Sequence, residues 1–389
     1  MSFNFDQLIE RNGTASVKFD GRTGYFGTAD VTPLWVADMD FAAPPEVTAA
    51  LASRAAHPVY GYTLYPEAAY QAVIDWLQQR HGWAVERDWI VMCPGVVPTL
   101  YAAVQAFAQT DEGVIVQTPV YFPFFSAVTD SGRRLIENPL KLDDTQYRFD
   151  FDQFEQCAAD GAKLLLLCSP HNPVGRVWQR AELEKLIAIA RRYDVVVLSD
   201  EIHADLVYPG ETHTPLALLA GESDRIMTAI APSKTFNIPG LGLSCLIAPD
   251  AELRHAVQRV FSLLHVSASN PFSVAAFEAA YRGGAPWLAA LMDYLKMTHD
   301  AVVTYCDAQL PGIRAIPAQG TYLLWLDCRE LRMTDVELQQ FFVQKAQVGM
   351  NPGRVFGQGG SGFMRLNLAS PRRVIMAALE RIQAALNAR

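Results

Sequence analysis

Charged residues are scarce in this chain of 389 residues. They make up 19% of it, whereas soluble domains usually carry about 25%. Residues 89–110, 113–129 and 235–249 contain no Asp, Glu, Lys or Arg. The first stretch is long enough to raise the question of a membrane span, which needs roughly 18 consecutive apolar residues. Two prolines and a glycine interrupt it and two glutamines make it polar, so we expect no membrane span.

Signatures of several other protein classes are missing as well. Basic residues form no run and the net charge is −9, so the basic footprint of a nucleic-acid-binding protein is absent. The first residues lack the basic and apolar regions of a secretory signal. The six cysteines are scattered without a Cys-x-x-Cys pair or a clustered His, which argues against a zinc site and is typical of reduced thiols. We therefore expect a cytoplasmic globular protein that acts on small molecules.

The middle of the chain alternates short apolar runs with a helical pattern. Residues 181–193 have apolar positions along one helical face. Strand candidates lie at residues 114–117, 163–168, 195–198, 226–230 and 243–248. This alternation predicts an α/β fold, in which helices cover both faces of a mostly parallel sheet. Ligands of such sheets bind at the carboxyl ends of the strands.

The two ends of the chain have a different pattern. Beyond about residue 284 come a long helical stretch, two strand candidates and a final helix, at residues 287–309, 321–326, 363–367 and 372–388. They predict a smaller α+β domain. The first forty residues have little periodicity, and we expect them to pack against that domain. The predicted division is 1–45 for the N-terminal segment, 46–284 for the large domain and 285–389 for the small domain.

Two loops after predicted strands offer contacts to an anion and to a planar ring. Gly95, Val96 and Val97 precede a helical run predicted over 99–108. A helix N-terminus presents free N–H groups and the positive end of the helix dipole, so this turn is a candidate anion site. An ordinary strand–helix turn would have the same pattern. Tyr121 follows the next strand and could stack on a planar ligand, although a core aromatic is the alternative.

Polar residues follow two further strands. Asn172 stands between Pro170 and Pro173, and this rigid turn would hold its side chain in one place, although Asn-Pro is also a common turn starter. Asp200 and Glu201 end a buried strand, where carboxylates are costly unless they are paired. Asp200 therefore requires a cation beside it, unless it caps a helix or forms a surface ion pair.

The lysine at position 234 is isolated in sequence. Lys234 is the sole charged residue between Arg225 and Asp250. A desolvated lysine has a lowered pKa and becomes nucleophilic, although a lysine that extends to solvent is the alternative. An anion site, a stacking ring, a fixed Asn, a buried Asp and a buried Lys together fit pyridoxal 5′-phosphate (PLP). PLP offers an aldehyde to the lysine, a phosphate to the helix and a pyridinium nitrogen to the aspartate.

Three segments carry a resemblance to a known superfamily. They are residues 169–175 (Ser-Pro-His-Asn-Pro-Val-Gly), 199–203 (Ser-Asp-Glu-Ile-His) and 233–240 (Ser-Lys-Thr-Phe-Asn-Ile-Pro-Gly). In this order and spacing the chain resembles fold-type I PLP enzymes, the aspartate aminotransferase superfamily, over nearly its whole length. The resemblance implies a mostly parallel seven-stranded sheet in the large domain, beside the smaller α+β domain.

Further segments are similar to one group within that superfamily. Residues 35–41 (Trp-Val-Ala-Asp-Met-Asp-Phe), 283–288 and 363–369 look like the MalY/PatB group of carbon–sulfur β-lyases, also called cystathionine β-lyases. The resemblance implies that Lys234 bonds covalently to PLP and that Asp200 pairs with the pyridine nitrogen. The other implied cofactor contacts are Asn172 at the phenolic oxygen, Tyr121 on the ring, His203 near the phenolic oxygen, and Ser233 with the Val96 and Val97 amides at the phosphate.

The resemblance also implies how the substrate and a second subunit take part. Arg365 would bind the α-carboxylate of an amino-acid substrate in a bidentate fork, helped by the backbone at Ala37. Asn172 and Tyr121 would also face the substrate, and Tyr121 would join Lys234 and Asp200 as a catalytic residue. Tyr62 would reach the phosphate of the neighbouring subunit, which implies a homodimer with its active site at the interface.

Three positions depart from the pattern of many relatives. His203 stands where many have tyrosine, and Ala231 stands where many have serine. Many relatives have an arginine shortly after this lysine that binds the phosphate, and the segment after Lys234 contains no arginine. Phosphate binding would then depend more on the backbone amides, Ser233 and Tyr62.

The group resemblance favours a β-lyase, which splits a cysteine S-conjugate such as L-cystathionine into thiol, pyruvate and ammonia. An aminotransferase would use the same residues, because the two reactions diverge only after the Cα proton has been removed. A PLP-binding regulator is the third possibility. Its DNA-binding domain would normally precede the enzyme pattern, which begins here by about Trp35.

Overall fold

The computed structural model describes residues 3–267 and 269–389. Helices and strands alternate through the middle of the chain, as the sequence predicts. The helices are α1 (Val17–Asp20), α2 (Arg22–Phe26), α3 (Pro45–Ala56), α4 (Glu67–His81), α5 (Val96–Phe107), α6 (Pro123–Thr129), α7 (Phe151–Ala159), α8 (Arg180–Arg192), α9 (Pro232–Thr235), α10 (Ala251–Leu263), α11 (Pro271–Gly283), α12 (Ala285–Gln309), α13 (Asp335–Gln340) and α14 (Arg372–Asn387).

The strands are short, and most of them are fully buried. They are β1 (Thr32–Pro33), β2 (Ile90–Cys93), β3 (Gly113–Val116), β4 (Arg134–Glu137), β5 (Lys141–Asp143), β6 (Gln146–Arg148), β7 (Leu164–Cys168), β8 (Val196–Asp200), β9 (Ile226–Ile230), β10 (Ser244–Ile247), β11 (Arg314–Ile316), β12 (Leu323–Asp327), β13 (Val348–Gly349), β14 (Asn351–Pro352) and β15 (Phe363–Asn367).

Seven strands form the central sheet, in the order β2-β10-β9-β8-β7-β3-β4. The five strands from β9 to β4 are parallel, and β10 runs antiparallel between β9 and β2. Strands such as β7 (Leu-Leu-Leu-Leu-Cys) are buried along their whole length, because helices cover both faces of a parallel sheet. The predicted α/β fold with a mostly parallel seven-stranded sheet is confirmed.

A second, antiparallel sheet follows the long helix α12. Its order is β11-β12-β15-β14, and α12 and α14 pack beside it and against each other. The first residues of the chain reach this part of the molecule, since β1 pairs in parallel with β13. Phe5 also packs its ring edge-on against Trp287 of α12. The domain boundaries at 45 and 284 stay a prediction.

Several element bounds differ from those that the sequence predicts. Helix α5 begins at Val96 rather than at residue 99, because Gly95 is its N-cap and Pro98 fits within the first helical turn. Strand β8 extends to Asp200, so this carboxylate belongs to the strand itself. Among the described residues no helix is long and apolar enough to cross a membrane.

Candidate active site

A cavity of about 220 Å³ lies at the carboxyl ends of the parallel strands. Loops that follow β3, β7, β8 and β9 meet there, because parallel strands end at the same edge of a sheet. The start of α5 and the N-terminal segment complete its wall. Nine of the residues predicted for the site line it, namely Ala37, Val96, Val97, Tyr121, Asn172, Asp200, His203, Ser233 and Lys234.

Lys234 lies in the single turn of α9, directly after the buried strand β9. Its Nζ donates a 2.6 Å hydrogen bond to the carbonyl oxygen of Ala37, which also accepts a 2.9 Å bond from the hydroxyl of Tyr322. Burial and the nearby charge of Arg365 lower the pKa of Lys234 to about 8, although Asp38 and Asp200 act in the opposite direction. An appreciable share of the amine is therefore unprotonated near neutral pH, as a nucleophile or a general base requires.

Asp200 is the last residue of β8 and is 5% exposed. Its Oδ1 accepts one hydrogen bond, of 3.1 Å, from the backbone N–H of Ile202. Burial and the charge of Glu201 raise the pKa of Asp200 to about 7, against the opposing effects of that bond and of Lys234. Within residues 3–267 and 269–389 no Lys, Arg or His nitrogen lies within 4.0 Å of this carboxylate. A ligand that brings a protonated ring nitrogen would supply the missing cation.

Arg365 is buried in β15, where it is 2% exposed. Its guanidinium donates to Asn172 Oδ1 at 3.0 Å, to Asn351 Oδ1 at 2.7 Å and to the carbonyl of Trp35 at 2.8 Å. All these acceptors are neutral. Burial lowers the pKa of Arg365 to about 10, and its Nε has no partner among the described residues. Among the residues that the structure describes, Arg365 is thus a buried cation without a counter-ion, as a receptor for a carboxylate requires.

Tyr121 and His203 are both neutral side chains on the cavity wall. Burial raises the pKa of the Tyr121 phenol, and the backbone N–H of Tyr121 donates to the carbonyl of Asn172 at 3.2 Å. Burial, with the charges of Lys234 and Arg365, lowers the pKa of His203 to about 3. His203 Nδ1 is buried and has no partner among the described residues.

The N-terminus of α5 also opens into the cavity. Val96 and Val97 are its first two residues, and the first N–H groups of a helix have no partner within the helix. Ser233 lines the same cavity beside Lys234. Two amides, a hydroxyl and the positive end of a twelve-residue helix suit a phosphate.

Comparison with known proteins places the chain in a family. A model of the family described as aminotransferase class I and II matches residues 29–382. The chain belongs to this family. Cystathionine β-lyase PatB of Bacillus subtilis (strain 168) is 42% identical over 386 residues, which cover 99% of this chain and 100% of PatB.

Two further matches agree with this membership. Protein MalY of Escherichia coli (strain K12) is 34% identical over 373 residues, and the match covers 95% of each chain. The crystal structure of cystalysin from Treponema denticola, which contains PLP, has a TM-score of 0.97 at 37% identity and covers 100% of each chain. The predicted resemblance to fold-type I PLP enzymes of the MalY/PatB group is confirmed.

Two asparagines of this family member, not predicted as site residues, fix the N-terminal segment against the site. Asn237 Oδ1 accepts a 2.9 Å hydrogen bond from the backbone N–H of Met39, and Asn237 Nδ2 donates to the carbonyl of Phe41 at 2.7 Å. Asn367 donates to the carbonyls of Val36 and Asp38, at 2.6 and 2.8 Å. Both asparagines lie in segments that carry the family resemblance, at residues 233–240 and 363–369. This position in the sequence is the signal that could have identified them as site residues.

Asp205 is another residue that the sequence did not single out. It accepts hydrogen bonds from Trp76 Nε1 at 3.0 Å, His81 Nε2 at 2.9 Å and Thr235 Oγ1 at 3.0 Å. Burial by itself would raise the pKa of Asp205, but His81, Arg80 and Thr235 hold it below its ordinary value. Since Thr235 directly follows Lys234, this buried carboxylate fixes the end of the turn that carries the lysine.

Two predicted site residues do not line the cavity. Arg365 is connected to it through Asn172, as described above. Tyr62 is fully exposed, with a relative exposure of 111%, and lies in an extended segment between α3 and α4. Its predicted contact with a neighbouring subunit stays a prediction.

Proposed function

We propose that this protein is a PLP-dependent carbon–sulfur β-lyase. It would convert L-cystathionine or a related cysteine S-conjugate, with water, into a thiol, pyruvate and ammonia. The observation that carries this proposal is the similarity to cystathionine β-lyase PatB, which extends over 99% of this chain and all of PatB. The likeness to cystalysin, whose structure contains PLP and matches along the full chain, supports PLP as the cofactor.

The chemistry of the cavity fits PLP. Asp200 would pair with the pyridine nitrogen, and Asn172 with His203 would face the phenolic oxygen. Tyr121 would stack on the ring. The phosphate would be held by Ser233 and the amides of Val96 and Val97, and Lys234 would form the covalent bond. When bound, the cofactor supplies an electron acceptor that stabilises negative charge at the substrate Cα.

Arg365 and Lys234 would bind the substrate and remove its Cα proton. Arg365 binds the substrate α-carboxylate by exchanging neutral acceptors for a charged one, and hydrogen bonds to a charged acceptor are stronger. This contact, with the backbone at Ala37, orients the Cα–H bond toward Lys234. The unprotonated Nζ of Lys234 removes the Cα proton, and its lowered pKa favours this role near neutral pH.

Departure of the sulfur completes the elimination. The Cβ–S bond breaks with both electrons on sulfur, and the resulting thiolate takes up a proton. Tyr121 is the candidate donor, because burial raises its pKa and keeps the phenol protonated. The three-carbon product then takes up water and breaks down to pyruvate and ammonia outside these contacts.

The test is incubation of the purified PLP-loaded protein with L-cystathionine in the absence of any keto acid. Formation of pyruvate and free thiol in equal amounts is the expected result. The Lys234→Ala variant should show no turnover. Activity that appears only after a keto acid is added would identify an aminotransferase and overturn the proposal. Turnover by Lys234→Ala would reject the assigned role of the lysine.

We also propose that the protein works as a homodimer. Large apolar side chains are exposed on the segment before α4 and at the end of α10, namely Val59 at 63%, Tyr60 at 57%, Tyr62 at 111%, Leu64 at 87% and Leu263 at 80%. Such exposure on a monomer marks an association surface. Sedimentation should give twice the chain mass, and a monomer at micromolar concentration would contradict this.

The same dimer would bring Tyr62 of the partner subunit to the phosphate. Tyr62→Ala and Lys234→Ala should each be weakly active or inactive as separate proteins. A mixed dimer of the two should regain activity, because one of its sites has both an intact Lys234 and an intact Tyr62. No gain after mixing would reject the shared site.

The cytoplasmic location stays a prediction. All six cysteines are free, as is typical of proteins in a reducing compartment.

A further inference from the structure

A second cavity lies between α13 and the last turns of α14. Its volume is about 740 Å³, within the range of roughly 300–1,000 Å³ that is typical of small-molecule sites. Part of its wall is apolar and is formed by Met333, Phe341 and Ala385. None of its lining residues belongs to the candidate active site. We call this cavity the α13–α14 pocket.

The α13–α14 pocket has more cationic than acidic side chains on its wall, although the whole chain has a net charge of −9. Its four cationic side chains are Arg332, Lys345, Arg381 and Arg389. In the part of the chain that the structure describes, no carboxylate lies within 4.0 Å of any of them. Glu337 is the one acidic side chain on the wall. Its Oε2 already accepts from the N–H and the hydroxyl of Thr334, both at 2.8 Å, to cap α13.

Arg381 gives the clearest sign of a missing partner. One of its terminal nitrogens donates to Thr32 Oγ1 of β1. Its Nε is buried and has no hydrogen-bond partner among residues 3–267 and 269–389. Burial lowers the pKa of this guanidinium. This partly buried cation has no carboxylate partner among the described residues, and an anion in the pocket would pair with the outer part of its guanidinium.

The backbone beside the pocket is unusual as well. Helix α13 continues directly into a π-helical turn at Phe341–Lys345. Such turns are rare and frequently occur at functional sites. This turn places both the aromatic ring of Phe341 and the cation of Lys345 on the pocket wall. Gln347, with a positive φ of 54°, follows it on the same wall.

We propose that the α13–α14 pocket binds a small organic anion. Its acidic group, whether a carboxylate, a phosphate or a sulfonate, pairs with Arg381 and Lys345. Its apolar part lies on Phe341 and Met333. The site is separate from the candidate active site, so it stands whether or not the proposed lyase reaction is correct.

The test is calorimetric titration of the PLP-loaded protein with 8-anilinonaphthalene-1-sulfonate, a probe with one anionic group and an apolar body. Loading with PLP keeps the active-site cavity filled. One saturable site per chain is expected, with an affinity that falls as salt is added. The double variant Arg381→Gln, Lys345→Gln should bind at least tenfold more weakly. Arg373→Gln is the matched control, because this exposed arginine of α14 donates instead to the carbonyl of Asp6.

Further arms separate the two parts of the proposed ligand. Octanoate should displace the probe, whereas inorganic phosphate at the same concentration should displace it at least tenfold less well. Equal displacement by phosphate would overturn the apolar part of the proposal. No saturable binding, or equal affinity in the double variant, would overturn the site itself. The exposed Lys345→Gln change alone, expected to weaken binding about threefold, provides the test if the double variant does not fold.

Discussion

The hydrogen bond between Thr235 and Asp205 should control how well Lys234 works. Thr235 ends the four-residue turn of α9 and follows Lys234 directly. Its Oγ1 donates a 3.0 Å hydrogen bond to the Asp205 carboxylate, which also accepts from Trp76 and His81. A hydrogen bond to a charged group contributes about 1.5–3 kcal/mol. If loss of this hydrogen bond raises the activation free energy by the same amount, kcat falls roughly 10- to 100-fold, because 1.36 kcal/mol of activation free energy corresponds to a tenfold change in rate.

The variant for this test is Thr235→Val, which keeps the shape of the side chain and removes the hydroxyl. We expect kcat for cystathionine cleavage to fall by that factor with little change in KM, since Arg365 still binds the carboxylate. Thr228→Val is the matched control. Thr228 is fully buried in β9, and its hydroxyl has no partner among the described residues. Its loss should therefore leave kcat unchanged.

A rescue variant and a double-mutant cycle separate positioning from general destabilisation. Thr235→Ser retains the hydroxyl and should keep most of the activity. Asp205→Asn should lower kcat by itself, but much less once Thr235→Val is present, because the two residues share one interaction. Equal losses in Thr235→Val and Thr228→Val would refute the reasoning, as would fully additive effects in the cycle.

Three further predictions follow from the buried charges of the site. Arg365→Lys should raise KM for the amino-acid substrate roughly 10- to 100-fold, because a lysine cannot replace the bidentate fork; steady-state kinetics with an unchanged KM would contradict it. In the ligand-free protein, acetylation of Lys234 followed by mass spectrometry should reach half its maximal rate near pH 8, where its pKa lies, and a midpoint near the ordinary value of roughly 10.4 would count against it. Because the folded pKa of Asp200 is raised to about 7, from roughly 3.9 in an unfolded chain, its ionisation weakens the folded state as pH rises from 4 to 7. Asp200→Asn should therefore gain about 1–4 kcal/mol of stability over ligand-free wild type between pH 4 and pH 8, and a difference in melting temperature that is independent of pH would argue against this.

Local patterns in the sequence predict the parallel sheet and the positions of its functional loops. The apolar run at Ile226–Ile230 is a strand with the predicted bounds, because such a run between polar turns has few other conformations in a compact protein. The Lys234 loop is predicted for the same reason. Its isolation from other charges implies burial, and burial is what lowers its pKa.

Contacts between distant parts of the chain are not predictable in this way. Asp205 lies in a loop without periodicity, and its partners Trp76 and His81 come from α4, more than 120 positions earlier. The two-residue strands β1 and β13 are too short for any periodic signal, so their pairing depends on tertiary packing alone. The sequence pattern predicts the start of α5 three residues too late, because a glycine N-cap and a proline in the first turn are also typical of a loop.

The bonds that join the N-terminal segment to β15 bear on how the protein is synthesised. The carbonyl of Trp35 is paired by Arg365, which is 330 positions later in the chain. At about 5–20 residues per second, the ribosome makes that partner roughly 20–60 s after Trp35. Until then the N-terminal segment lacks its hydrogen-bond partners in β15. We therefore expect the nascent chain to depend on chaperones at its N-terminal end, and any product cut short before β15 to be recognised as unfinished.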